Sequence, residues 1–214
     1  MRLMLARHGE TTWNQDGRYQ GHSNPSLSAR GEVQAQALAE RFAASDGISI
    51  VASPLMRAQA TAHIIATRLN LPVTTDHRLK ELAYGEWEGL QQATVKQKWP
   101  ELLRQWKRNP DQVRFPGGES LSDMQQRVQS FFEYTAGQSG TILAITHDGV
   151  ARMAVLEALG QPLSAFRNIR IENASMTTFT LEDGKCAIDD MNDVTHLLNL
   201  AGDTSRELLY PASI

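Results

Sequence analysis

Two short apolar runs, far apart in the chain, each end in a histidine, and this pattern constrains the fold more than any other. Leu3-Met4-Leu5-Ala6 leads into Arg7-His8-Gly9, and Thr141-Ile142-Leu143-Ala144-Ile145-Thr146 leads into His147-Asp148-Gly149. Short apolar runs of this kind read as fully buried strands, the habit of parallel sheets covered by helices. In open α/β sheets, ligands bind at the carboxyl ends of the strands. Two histidines delivered to that edge, one flanked by an arginine, are expected to meet in space.

The rest of the chain fits such a sheet. Ile48-Ser49-Ile50-Val51 reads as another buried strand, and Pro72 to Thr75 as a short one. Ser28 has the character of a helix N-cap, with Val33, Ala37, Leu38 and Phe42 at helical spacing and a stop near Ser45-Asp46-Gly47. Ser53-Pro54 reads as a cap residue and a first-turn proline. Leu55, Ala58, Ala62, Ile65, Ala66 and Leu69 then form one apolar face, with Arg57 off that stripe in the first turn. A turn at Pro116 to Ser120 precedes a helix marked by Leu121, Met124, Val128, Phe131, Phe132 and Thr135. A further helix, Val150 to Leu159, stops at Gly160-Gln161-Pro162. Ser175 to Leu181 and Cys186 to Met191 flank Asp183-Gly184 as a hairpin, and the tail from Asn199 to Ile214 is polar.

This alternation predicts an α/β protein: a three-layer α/β/α sandwich with a mostly parallel central sheet, in a single domain spanning 1–214. A small helical lid insertion, about 82–118, stands outside the sheet. It starts in the Gly-punctuated acidic stretch Glu81 to Gly89 and continues as two short helices broken at Pro100. Its tryptophans, Trp87, Trp99 and Trp106, are expected to pack rather than to stack on a ligand.

The net charge of −3 is nearly balanced, which excludes the basic footprint of a nucleic-acid binder. Any attraction for an anion must therefore be local. Cys186 is the single cysteine, read as a small core or near-core residue; without an internal disulfide the expected compartment is reducing. No apolar run approaches membrane-spanning length, so the expectation is a soluble, cytoplasmic protein with no membrane partner.

Arg7, His8, Arg57 and His147 gather two guanidinium groups and two imidazoles at one sheet edge. Arginine forks match phosphate oxygens, and helix N-termini add N–H donors. A metal site would require further His, Cys or carboxylate ligands, yet the neighbours here are arginines. There is no Gly-rich Lys-Ser/Thr loop of the nucleotide-binding kind. A neutral imidazole can itself attack phosphorus, with the cations neutralising the transferred group. One carboxyl of raised pKa can protonate the leaving group and later activate water. Glu10, Glu81, Glu86 and Glu88 are the candidates, with Glu81 slightly favoured because it opens a glycine-spaced loop after a strand.

Arg7-His8-Gly9-Glu10-Thr11-Thr12-Trp13-Asn14 resembles the signature of the histidine phosphatase superfamily, the phosphoglycerate-mutase-like fold. Arg18 to Gly21, Leu27 to Gly31, Ser53 to Thr61, Glu81 to Gly89, Gly117 to Ser120 and Thr146 to Gly149 resemble its later blocks in order. The resemblance implies that His8 is the phosphorylated nucleophile and that Arg7, Arg57 and His147 form the phosphate pocket. Glu81 would be the proton donor, Asn14 would contact the phosphate or the attacking water, and Gln20 and Gly21 would line the substrate side. It implies no metal and no cofactor.

The family often has Asp-x-Pro-Leu-Thr after the Gln-Gly pair. Ser23-Asn24-Pro25-Ser26-Leu27-Ser28 departs from it in a loop that touches substrate. Tyr84 to Gly89 and the short lid resemble the phosphatase branch. The expected activity is metal-independent hydrolysis of a small phosphorylated metabolite. Two alternatives stand beside it: a cofactor-dependent phosphoglycerate mutase, and a non-catalytic regulator that binds a phospholigand. The hairpin at 175–191 is a candidate seam for a homodimer.

Overall fold

The computed structural model of the protein describes residues 1–42, 47–182 and 184–200. The strands are β1 (Arg2–Arg7), β2 (Ile48–Ala52), β3 (Val73–Thr75), β4 (Thr141–Thr146), β5 (Met176–Glu182) and β6 (Lys185–Asp193). They form one sheet in the order β3-β2-β4-β1-β5-β6. The first four in that order run parallel, while β5 and β6 join as an antiparallel hairpin, so the sheet is mixed.

Alternation along the strands explains the three layers. Leu3 and Leu5 of β1 point to one face, and Met4 and Ala6 to the other. The Met4 face is covered by α2 (Ala29–Glu40) and α3 (Met56–Leu69) through Leu38, Ala58, Ala62 and Ile65. The Leu3 face is covered by α6 (Leu121–Ala136) and α7 (Asp148–Leu159) through Met124, Val128, Phe131 and Met153. A one-turn helix, α1 (Thr12–Gln15), follows β1, and α4 (Gln92–Lys98) and α5 (Pro100–Arg108) lie in segment 82–118. Segment 82–118 supplies none of the six strands.

Several local expectations are corrected. Helix α2 closes at Glu40, short of the expected stop near Ser45-Asp46-Gly47; Ser45 and Asp46 lie outside the described residues, as do Asp183 and most of the tail from Asn199. Val33 is off the buried stripe and 44% exposed. Ser53 does not cap α3: the helix starts at Met56, with Leu55 at the cap position and no side-chain cap. The amide of Met56 is taken instead by Asn24 Oδ1 at 3.0 Å, from a loop over thirty positions earlier in the chain. Helix α7 begins at Asp148, two residues before the expected start, with His147 at its cap position.

Trp87 and Trp106 are 0% and 3% exposed, packed edge-on against Phe115 with ring centroids 4.9 and 5.0 Å apart. Segment 82–118 thus shares the core that α6 and α7 build on the sheet. Among the described residues no helix is long and apolar enough to cross a membrane.

Candidate active site

The strand order brings three carboxyl ends side by side, because β4 lies between β1 and β2. The amide of His8 donates to Thr146 O at 3.0 Å, and that of Ser53 to Ile145 O at 2.9 Å. His8 and His147 therefore stand next to one another, ring centroids 5.1 Å apart and edge-on. Arg57, off the helical stripe in sequence, is 1% exposed because its side chain turns into this crevice. Its Nε donates to His8 Nε2 at 3.1 Å, and its two terminal nitrogens donate to the carbonyls of Ser23 and Gly21 at 2.8 Å each. Arg7 donates to Ile171 O at 2.6 Å and lies 3.8 Å from Asp148.

The bonds around His8 define its chemistry. Nδ1 lies 2.7 Å from the carbonyl of Gly9, which can only accept, so Nδ1 carries the ring proton. Nε2 then keeps its lone pair, facing the guanidinium of Arg57. Burial, then the charges of Arg57 and Arg7, push the pKa of His8 well below the ordinary imidazole range. The ring is neutral at pH 7, and its lone pair accepts from the Arg57 guanidinium.

Gly9 follows not because the backbone turns left-handed there. A Cβ at Gly9 would stand 2.3 Å from Gly31 O, and one at Gly31 would stand 1.9 Å from Glu10 O. The two glycines let the loop after β1 lie directly on the start of α2.

His147 is fully buried, and burial followed by the charge of Arg57 lowers its pKa well below the ordinary value. Its Nε2 meets Ser53 Oγ at 2.8 Å. Ser53 Oγ accepts from the Leu55 amide at 3.3 Å, so its own proton is available for Nε2. With the Ser53 hydroxyl donating to Nε2, the ring proton of neutral His147 sits on Nδ1. That nitrogen is buried and has no protein partner among the described residues, as are Arg7 Nε and Gln20 Oε1. Most buried polar atoms find partners. Three of the four exceptions among the described residues fall on Arg7, Gln20 and His147; the fourth is Nε1 of the core residue Trp87.

Of the four candidate carboxylates, only Glu81 is buried. It is 7% exposed, and its Oε1 accepts from the amides of Leu82 at 2.8 Å and Gly149 at 3.1 Å. Burial and the nearby charge of Asp148 raise its pKa, against the opposing pull of Arg57. Glu10 is occupied by Ser28 Oγ and Gln15 Nε2, Glu86 is exposed, and Glu88 holds backbone amides. Asn14 Oδ1 receives the Thr11 amide at 3.0 Å, the Thr11 hydroxyl at 2.9 Å and Asn173 Nδ2 at 3.4 Å. Three donors converging on one atom identify it as the oxygen, which leaves the amide nitrogen of Asn14 as a donor.

Sequence reasoning misses the residues that hold these groups from behind. Asn173 Nδ2 and the Ala174 amide both donate to His8 O, at 3.3 and 3.1 Å, and Ala174 sits at φ 54 to do so. Arg127 pairs with Glu119 and donates to the carbonyls of Lys80 and Glu81, at 2.5 and 3.0 Å, which fixes the loop carrying the acid. Ser53, a cap residue by sequence, is the partner of His147 instead. Nothing in local spacing ties Asn173 or Arg127 to the site; only the fold does. Among the described residues no group of three or more His, Cys, Asp or Glu is arranged to hold a metal ion.

The model of the histidine phosphatase superfamily (branch 1) matches residues 3–194. Phosphoserine phosphatase 1 of Hydrogenobacter thermophilus is 36% identical, over 92% of this chain and 94% of its own. A probable phosphoglycerate mutase, GpmB, of Salmonella paratyphi C is 31% identical, over 92% and 95%. The crystal structure of a putative alpha-ribazole-5'-P phosphatase from Escherichia coli superposes with a TM-score of 0.83 at 29% identity, over 90% of this chain and 96% of that one. The chain belongs to branch 1 of the histidine phosphatase superfamily.

Proposed function

We propose that this phosphatase hydrolyses small phosphomonoesters through a phosphorylated His8. The observation that carries the reading is the bonding of that imidazole: Nδ1–H donates to Gly9 O, and Nε2 holds its lone pair toward Arg57. A phosphate oxygen replaces that lone pair as partner of the Arg57 Nε–H, and Nε2 then faces phosphorus. The N–P bond forms as the P–O bond to the alcohol breaks.

Arg7, Arg57, the Nδ1–H of His147 and the amide of Asn14 take the equatorial oxygens, where charge collects. Glu81, whose hold on a proton is strengthened by burial, gives that proton to the departing alkoxide. Glu81, now a carboxylate, takes a proton from water as the water oxygen attacks the phosphohistidine. Inorganic phosphate leaves and His8 is neutral again. The sequence of steps requires no metal.

Gln20, with its unpartnered Oε1, and Gly21 border the substrate side. The substrates named for the relatives, phosphoserine and α-ribazole phosphate, define the class: a compact phosphorylated metabolite. With one cysteine and nearly balanced charge, we assign the protein to the cytoplasm. The open edge of β6 is the place for a second copy, if the protein is a homodimer.

The test is phosphate release from a panel of metabolite esters in EDTA, with wild type and His8→Ala in parallel. Release by wild type that falls by several orders of magnitude in the variant is the expected result. Activity retained by His8→Ala would reject the nucleophile. Silence on every ester, with transfer between 3-phosphoglycerate and its bisphosphate, would establish a mutase instead. Tight phosphate binding without either reaction would establish a regulator.

A further inference from the structure

We infer that Glu88 is a positioning residue for the phosphate pocket: it clamps the Gly21–Ser23 loop, and that loop holds the guanidinium of Arg57 against His8. The inference rests on the reading of Arg57 as a phosphate ligand. Glu88 Oε1 accepts from the amides of His22 at 2.9 Å and Tyr84 at 3.2 Å. Its Oε2 accepts from the Ser23 amide at 2.9 Å and the Ser23 hydroxyl at 2.8 Å. Four donors and no acceptor surround the group, which suits a carboxylate and no other side-chain head of that size.

The clamped loop in turn presents the carbonyls of Gly21 and Ser23 to the two terminal nitrogens of Arg57. Those bonds leave Nε pointing at His8 Nε2. A buried guanidinium offers five N–H donors in a rigid plane, so whatever fixes two of its nitrogens fixes the third.

Gly21 shows how closely the parts fit. Its φ is +50, and a Cβ there would lie 2.1 Å from Glu88 Oε1. The same loop is tied to the acid, since His22 Nε2 bonds the carbonyl of Glu81 at 2.8 Å. Glu88 therefore joins the element that aims Arg57 to the element that carries Glu81. Its own hydrogen bonds go to His22, Ser23 and Tyr84, none of which is a reacting group.

The distinguishing experiment is a double-mutant cycle on aryl-phosphate kcat/KM, with thermal midpoints recorded for every variant. Glu88→Gln keeps the shape but removes the charge and turns an amide N–H₂ toward at least one backbone N–H, so at least one of the four bonds fails. It is expected to lower kcat/KM by about tenfold or more, the scale of a lost charge-assisted bond or two. In an Arg57→Lys background, where no fork remains to be aimed, the same change should cost less than about twofold. A merely structural role would cost the same factor in both backgrounds.

Ser23→Ala is the second variant, usable if Glu88→Gln does not fold. It removes one donor to Oε2, and its smaller loss should also vanish beside Arg57→Lys. Equal losses in the two backgrounds, or no loss in either single variant, would overturn the inference while leaving the pocket intact. An Arg57→Lys enzyme as active as wild type would overturn the pocket reading itself, and the inference with it.

Discussion

Replacing Glu81 by Gln separates the proposed acid from every other role the residue has. Glu81 Oε1 accepts from Leu82 N and Gly149 N, at 2.8 and 3.1 Å. A glutamine carbonyl in the same place accepts both, so the variant keeps its fold and loses only the transferable proton. General acid catalysis is worth about 10²–10⁴ in rate, or about 2.7–5.5 kcal/mol of barrier. That loss is expected in full for alkyl phosphates, whose alkoxides are poor leaving groups. It should shrink to about tenfold or less for aryl phosphates, whose phenolates need little help.

The same substitution has a consequence for stability. Burial and Asp148 raise the pKa of Glu81 in the folded protein, so the folded state binds this proton more tightly than the unfolded chain does. The stabilisation is full below the ordinary carboxylate range and is lost as pH rises through the folded value. Above that window wild type carries a buried charge that Gln lacks, and every tenfold difference in proton affinity between the folded and unfolded states is worth about 1.4 kcal/mol. Glu81→Gln should therefore be the more stable protein at about pH 8 and gain nothing near pH 4. Paired alkyl and aryl assays, with urea midpoints at the two pH values, read both effects. Equal rate losses for the two ester classes would refute the acid role, and a less stable variant at the higher pH would refute the account of its burial.

Ser53→Ala removes the one group bonded to His147 Nε2, freeing the ring to change tautomer, and aryl-phosphate kcat/KM should fall about tenfold for about 1–2 kcal/mol of misdirected donor; undiminished turnover would reject the assigned Nδ1–H. Gly9→Ala drives a methyl to 2.3 Å from Gly31 O, which is backbone and cannot swing aside, so unfolding should come about 1–3 kcal/mol earlier by denaturant titration; an unchanged midpoint would mean that the loop is not packed as described. Asn173→Ala withdraws a donor from both His8 O and Asn14 Oδ1, and should raise the inhibition constant of inorganic phosphate about threefold to tenfold through a mis-set Asn14; an unaltered constant would remove Asn173 from the site.

What is legible in the sequence is what short-range periodicity and strand ends carry. The apolar runs before His8 and His147 place both rings at one edge, because buried strands of that length have few other homes. The Glu81 stretch is legible as a loop. The starts of α3 and α7 are not, since the donors at those helix ends are satisfied by Asn24 and Glu81, residues with no local relation to either helix. Val33 falls on the right period for a buried face but on the rim of the packing, where a propensity pattern cannot say how far the neighbouring element reaches.

Arg57 shows why the site itself needs the fold. Helical periodicity alone leaves an off-stripe arginine to solvent, since a lone buried cation is prohibitively costly; its place just after a strand end is what puts Arg57 in the expected pocket. That cost is met here by the carbonyls of Gly21 and Ser23 and the lone pair of His8, three acceptors from two loops distant in sequence. Neither loop supplies them unless it is held in turn, one by Glu88 and the other by Asn173 and Ala174. Even so, burial lowers the pKa of Arg57 to about 10, which keeps it charged through the neutral range while desolvating it. On the proposed function, a dianion entering the crevice meets a cation already buried and already aimed. Its reorganisation cost has been met in folding, and so is not added to the barrier of phosphoryl transfer.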